Sequence, residues 1–344
     1  MNQIIHVRQD DLGKIEDFFR LTTEVYKGNQ VWIPESIETL RQEIFTRQET
    51  DKLRFPLLCL VNNKPVARAV AMFHPKAKNE RGECQGWIGF FEALPGHDES
   101  VKGLLRKAEE ILRDLGAVSI LAPKTDNQMV GFLADGFDLP QTVLTGYNPP
   151  YYIQLFEAFG YSVKTKSVAY NFTRKTVPKL HIEVPGIVTR VFNRSDLPRE
   201  IERFNQIQKE IFSYRNEYIP RTLAEDEKMI LSMLSFLDDD LIIFAEDHNG
   251  TPIGILLCLP DINQVRKGEK ITRARIISVG AVPSWQKRGV GKAMAFHLMK
   301  NLLQKDYQEA EASWILEHNT PPKNLALRFS ARLGRVFVLM EKLL

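Results

Sequence analysis

The chain has little that would commit it to a membrane, a metal or a disulfide framework. In 344 residues there are only three cysteines, Cys59, Cys84 and Cys258, at no spacing that suits a metal. Two of them lie in runs reading LLCL, which predicts buried, reduced thiols rather than reactive ones. No apolar run approaches the ~20 residues that cross a bilayer, and the start, MNQIIHVRQDD, lacks the basic-then-apolar order of a secretory signal. These absences predict a cytoplasmic protein with no membrane partner. An excess of one charge is also missing. The 46 Lys and Arg against 43 Asp and Glu leave only +3, spread along the chain, which argues against a nucleic-acid partner.

What is present suits a globular protein with two cores. The length favours two domains, and 44% hydrophobic with 26% charged residues can bury them. The first half reads as strand IIHVR, helix DDLGKIEDFFRLTTEVYKG, a second helix, a hairpin about Asn62-Asn63 and strand GWIGFFEAL. An amphipathic helix closed by Gly116, strand VSILAP, helix YYIQLFEAFGY and strand SVKTKSVAYNFTR follow. The second half repeats that order from IVTRVFN to RVFVLMEKLL, with its hairpin on Asn249-Gly250. The Pro- and Gly-bearing stretch 176–186 connects them. An internal duplication follows, with domains at 1–175 and 187–344. Two such halves can pack as a pseudo-dimer in a monomer, or the chain can form a homodimer.

One loop carries chemistry. VGAVPSWQKRGVGKAMAFHLM leaves a strand through Pro283 and enters a helix through Arg288-Gly289-Val290-Gly291-Lys292. A glycine-rich turn into a helix N-terminus gathers backbone N–H groups and partial positive charge, which suits an anion. Gly289 and Gly291 let phosphate oxygens approach, and Lys287, Arg288 and Lys292 add charge for a diphosphate. The spacing fits neither the dinucleotide fingerprint nor the P-loop.

This motif resembles the acetyl-CoA-binding motif of the GCN5-related N-acetyltransferases, Q/R-x-x-G-x-G/A after a strand ending in apolar-x-Pro. The resemblance implies that Gln286, Lys287, Arg288, Gly289, Val290, Gly291 and Lys292 hold the pyrophosphate of coenzyme A. It implies that Gly280, Ala281 and Val282 pair with the pantetheine arm and polarise the thioester. WILEHN and NLALRFSARLG resemble the later strand and helix where the thiol leaves, and Asn319 between them joins the cofactor site. The implied fold is α/β, two tandem acetyltransferase-fold domains, each a mixed, mostly antiparallel sheet flanked by helices. The implied partners are coenzyme A, as acetyl-CoA, and a small-molecule amine, with no metal.

The first half departs from the motif. Asp98 stands where Gln286 lies, Glu99 follows, and Val101 replaces Gly289. Carboxylates there repel a diphosphate, so this half is read as lacking a coenzyme A loop.

The catalytic groups are less determined. The family's usual tyrosine acid, four residues before the glycine of the last helix, is here Ser330 if that glycine is Gly334. The strand ITRARIISV has no acid to serve as base. Glu317 and His318 end the strand WILEHN and stand either as solvated strand-end groups or as the base. Asp261 either forms a turn or binds a cationic acceptor. Tyr214 and Tyr218, in FSYRNEYIP, either pack or shape the acceptor pocket. Tyr147, Tyr151 and Tyr152 either line a pocket or cover the sheet. A coenzyme A-binding or ligand-sensing protein without catalysis is the alternative that these missing groups leave open. Aminoacyl or peptide-type transfer on the same tandem fold is disfavoured by the intact phosphate loop.

Overall fold

The structure is a computed structural model and describes residues 2–45, 51–125, 131–175, 184–213 and 218–344. It divides into two compact units, Met1–Ser167 with Arg335–Leu344, and Val168–Gly334. In chain order the elements are β1 (Asn2–His6), α1 (Leu12–Val25), α2 (Ile37–Phe45), β2 (Leu53–Val61), β3 (Lys64–Lys78), β4 (Cys84–Ala93), α3 (Asp98–Asp114), β5 (Ser119–Ala122), β6 (Phe132–Asp135), α4 (Tyr151–Ala158) and β7 (Ser162–Thr173). The order then repeats as β8 (Val188–Val191), α5 (Leu197–Phe212), α6 (Leu223–Met233), β9 (Ile242–Glu246), β10 (Pro252–Pro260), α7 (Asn263–Arg266), β11 (Arg273–Ala281), α8 (Val290–Gln304), β12 (Glu309–Leu316), α9 (Thr320–Arg328) and β13 (Arg332–Leu343).

Local chemistry explains the main elements. The hairpin β2–β3 turns on Asn62 and Asn63, both at positive φ, as a tight two-residue turn requires. Asp11 caps α1 by accepting the N–H of Lys14, and Thr222 with Glu225 forms a capping box on α6. In α3, Val101, Leu104, Leu105, Ala108 and Leu112 recur at helical spacing and are buried against the first unit's sheet.

The first unit's sheet runs β1-β2-β3-β4-β5-β13, and the second's runs β8-β9-β10-β11-β12-β7. β4 with β5 and β11 with β12 are parallel; β1 with β2, β2 with β3, β3 with β4, β5 with β13, β8 with β9, β9 with β10 and β10 with β11 are antiparallel. The linear division at 176–186 does not describe these units. Residues 335–344 belong to the first, because β13 pairs Met340 with Ala122 of β5 and Phe337 with Leu133 of β6. Val168–Thr173 of β7 belong to the second. Residues 176–183 of the connector lie outside the described residues.

The last helix also differs from its predicted span. Pro321 and Pro322 open α9 at its first turn, where proline loses no needed N–H. Ser330, at φ 58, then ends it, with the Ala331 N–H donating to the Ala326 carbonyl. Gly334 therefore lies in β13 and not in the helix.

The first unit buries a polar cluster beside the end of β4. Glu92 is 9% exposed, and Tyr152 Oη donates to its Oε2 at 2.8 Å. Across the ladder on β3, buried Arg68 donates from Nη1 to the Phe18 carbonyl and stacks on the Phe18 ring at 4.5 Å. Burial pushes the Glu92 carboxyl up from its ordinary 4.5 to about 7, against the opposing pull of Arg68 and Tyr152.

The folded chain thus keeps a proton that the unfolded chain releases from about pH 4.5. Stability from this group is full below that pH and is lost as pH rises through about 7. The melting temperature is expected to fall from pH 5 to pH 8, and to fall less in Glu92→Gln. Thermal denaturation of both proteins across that range checks it; parallel curves would remove Glu92 as the cause.

Candidate active site

In the second unit two parallel strands part. The β11–β12 ladder runs from Arg273 opposite Glu309 to Ile276 opposite Ala312, and among the described residues no pair follows, although the strands reach Ala281 and Leu316. On its other edge β11 stays paired with β10 to Ala281 opposite Gly254. Register shifts at Leu257/Cys258, where Ile277 is the extra residue. Such a bulge bends a strand, and here it turns β11 away from β12. The result is a fork whose β11 edge, residues 277–281, is open.

The base of the fork is pinned by a buried cation. Arg275 Nε donates to Ser313 Oγ at 2.8 Å, Ser313 Oγ donates to Glu311 Oε1 at 2.7 Å, and the guanidinium lies 4.5 Å from the Trp314 ring centre. Arg275 and Glu311, 3.8 Å apart, are both buried. These side chains join β12 to β11 just where the ladder ends.

The predicted loop stands at the fork's open end. After Pro283–Trp285, Lys287 and Gly289 take positive φ, 62° and 90°, and α8 begins at Val290. Among the described residues the N–H groups of residues 287–292 have no acceptor; the first bond of the helix is from the Ala293 N–H to the Gly289 carbonyl. Six consecutive free donors at a helix N-terminus form an anion cradle. Gln286, Lys287 and Arg288 are exposed, and Arg288 lies over the Trp285 ring at 5.4 Å. The two loop glycines have different reasons. At Gly289 the left-handed backbone disfavours any side chain, and a Cβ would also meet Val184 Cγ1 at 3.1 Å. At Gly291 a Cβ would meet nothing within 4 Å. Among the described residues nothing requires this second glycine, yet helical glycine costs stability. The space beside it fits a group from outside.

The equivalent place in the first unit is filled. Among the described residues β4 and β5 pair as a ladder only from Gln85 to Trp87, and Phe90 takes φ 51 at a matching register shift. Here the backbone at the strand end is spoken for: Ala93 N–H donates to Tyr152 Oη at 2.8 Å, and Tyr151 Oη donates to the Ala93 carbonyl at 2.6 Å. Asp98 and Glu99 occupy the first turn of α3. The sequence leaves these tyrosines either lining a pocket or covering the sheet; their partner, Ala93, lies 58 and 59 residues away.

The other predicted residues fall in three places. Glu317 and His318 follow β12 at the fork's open end and are exposed, and Asn319 is the residue before α9. Tyr218 packs on Phe212, ring centres 5.5 Å apart, and burial pushes its hydroxyl up; Tyr214 lies outside the described residues. Two assignments are corrected. Asp261 is fully buried and accepts from Arg273 Nε at 2.6 Å, so it is a structural partner. It follows β10 at the end of the sheet away from the fork, about 20 Å from Gly254 along the strand. Ser330 is the exposed turn residue after α9, so the position four before the turn is Ala326, buried and without a proton to give. An open groove of 560 Å³ lined by Phe236, Leu237, Pro260 and Tyr307 lies at that same far end and takes no part in the fork. Among the described residues no cluster of His, Cys, Asp and Glu could hold a metal ion, and no helix is long and apolar enough to cross a membrane.

The open space at Gly291 gives a direct expectation. Gly291→Ala should raise stability by about 0.5–1 kcal/mol, since Ala favours the helix and meets no atom. A melting temperature lower than that of the parent would show that this space is used by the protein itself.

Known proteins share this fold. Residues 201–330 match the Acetyltransferase (GNAT) family. A protein of Caulobacter vibrioides named bacterial ceramide synthase is 26% identical over 290 residues, covering 74% of this chain and 75% of its own. Among solved structures, a GCN5-related N-acetyltransferase from Sphaerobacter thermophilus has a TM-score of 0.60 at 16% identity, covering 99% of this chain and 95% of that one. A tandem GNAT protein from the clavulanic acid biosynthesis pathway has a TM-score of 0.64 at 10% identity, covering 100% and 98%. The chain has the tandem acetyltransferase fold, two units each with a parted pair of parallel strands, and its residues 201–330 match the GNAT family.

Proposed function

We propose that the protein is an acyl-CoA-dependent N-acyltransferase that binds its donor once, in the second unit. The observation that carries this reading is the run of six N–H groups, residues 287–292, that have no acceptor among the described residues, beside the open space at Gly291. They suit the pyrophosphate, with Lys287, Arg288 and Lys292 for its charge. The open edge of β11 offers Gly280, Ala281 and Val282 to the pantetheine arm. The Tyr151 and Tyr152 hydroxyls on Ala93, with Asp98 and Glu99 at the loop, argue against a second donor in the first unit.

The chemistry asks for little more than placement. A neutral amine nitrogen attacks the thioester carbon, the C–N bond forms, and the carbonyl oxygen leans on β11 backbone N–H. The ammonium proton passes to solvent or to Glu317 or His318 at the fork's mouth. The C–S bond breaks and the thiolate takes a proton from water, since Ala326 stands where the family's tyrosine is implied. Acetyl transfer to a small-molecule amine is the simplest form. The name of the Caulobacter relative favours a second reading, a longer acyl group on the amine of a lipid base.

Titration calorimetry with acetyl-CoA or coenzyme A is expected to give one site per chain. Gly289→Glu, which strains the turn and adds a repelling charge, should weaken it ten-fold or more, about 1.4 kcal/mol per decade. Release of coenzyme A thiol on offering amines then separates a transferase from a protein that only binds the nucleotide. Two equivalent sites, or unchanged affinity in folded Gly289→Glu, would overturn the reading.

A further inference from the structure

The two faces of the second unit's sheet can be told apart along β10 and β11. Gly254, opposite Ala281, would drive a Cβ into Val290 Cγ1 at 2.6 Å, so that face carries α8 and its loop. Ile255 is opposite Gly280, one residue along and therefore on the other face. There a Cβ on Gly280 would meet Ile211 Cγ2 at 2.5 Å and Cδ1 at 3.1 Å. Ile211 is the last buried residue of α5 and is 5% exposed. Its branched end thus occupies the place where every other residue type at 280 would put a side chain.

A donor held by the loop is anchored on the α8 side. In the site proposed above, the pantetheine arm would follow the open edge of β11 along residues 277–281, and an acyl end passing through the fork would reach the face on which Ile211 packs. Gly280 presents only backbone to it, so the first side chain that an acyl group passing this strand meets is that of Ile211. We infer that Ile211, packed on Gly280, sets the acyl chain length that the fork accepts. This rests on the donor site proposed above. It adds a determinant on α5, outside the loop, and explains Gly280 as the partner of Ile211 as well as a thioester neighbour. Shortening Ile211 to Ala removes three carbons from that wall, room for about as many carbons of a longer chain. Restoring one carbon from the opposite side, as the Cβ of Gly280→Ala, should take back part of the room.

The test is kcat/KM across straight-chain acyl-CoAs from two to sixteen carbons, with one amine acceptor, on full-length protein. Ile211→Ala is expected to move the optimum to longer chains, changing the ratio of the longer to the original donor by about ten-fold or more, as one to a few buried methylenes allow. Ile211→Ala with Gly280→Ala should move the optimum part of the way back. Ile211→Val, which loses a single methylene, should shift it in the same direction by less, and serves where the Ala variant folds poorly. Affinity for free coenzyme A, which has no acyl group, should be unchanged in Ile211→Ala and in Ile211→Val, neither of which alters the loop or the β11 edge. An unchanged chain-length profile in variants that bind coenzyme A normally would overturn the role of Ile211 and leave the donor site standing. Failure of the parent protein to bind coenzyme A at the loop would remove the donor site, and this inference with it.

Discussion

The second unit depends on how two parallel strands can be joined at one end and apart at the other. A ladder that simply stops leaves nothing to keep the strands from closing or drifting. Arg275 supplies the fixed point. Its guanidinium is bound by Ser313, faces Glu311 and stacks on Trp314, all from β12, while its own backbone is in the ladder of β11. A buried cation with several simultaneous partners resists rearrangement, because each lost contact exposes an unpaired charge in a poorly solvating interior. The bulge at Ile277 then directs the rest of β11 away. The opening is therefore built by a clamp and a bend together.

The first unit has the same scaffold with the partners exchanged. There the ring is on the earlier strand and the cation beyond the later one: Lys124 Nζ lies 4.8 Å from the Trp87 ring centre. In the second unit the cation, Arg275, precedes the ring, Trp314. The position is kept and the chemistry is inverted. Past that point the units diverge in what they leave free. One satisfies the strand-end backbone with tyrosine hydroxyls and buries Arg68 and Glu92 on adjacent strands; the other presents an open strand edge and a row of unbonded amides.

Much of this was legible in the chain. The repeated order of elements, the turns at Asn62-Asn63 and Asn249-Gly250, and the loop at 286–292 are all local signals, set by turn chemistry and periodicity within a few residues. What could not be read depends on distant partners. Nothing in LCLPDINQ says that Asp261 meets Arg273, because that pairing needs the β10–β11 register. Ser330 takes a left-handed turn that glycine fills at Gly160 in the first unit, so matching glycine to glycine moved the end of the last helix to Gly334. The occupation of Ala93 by Tyr151 and Tyr152 likewise needs α4 placed against the end of β4. Arg275 and Glu311 were the overlooked signal, opposite charges at mid-strand that both end up buried.

The pairing of β13 with β5 bears on how the chain is made. Synthesis runs from the N-terminus, and domains commonly fold as they emerge. Residues 1–167 leave the ribosome long before residues 335–344, which supply the strand beside β5. During all the time that the second unit is being translated, β5 has an unpaired edge, the kind of edge that recruits other strands. The nascent first unit is thus a sheet waiting for its last strand, and the interval is set by the length of the second unit. Protecting that edge during translation is a requirement distinct from the stability of the finished fold.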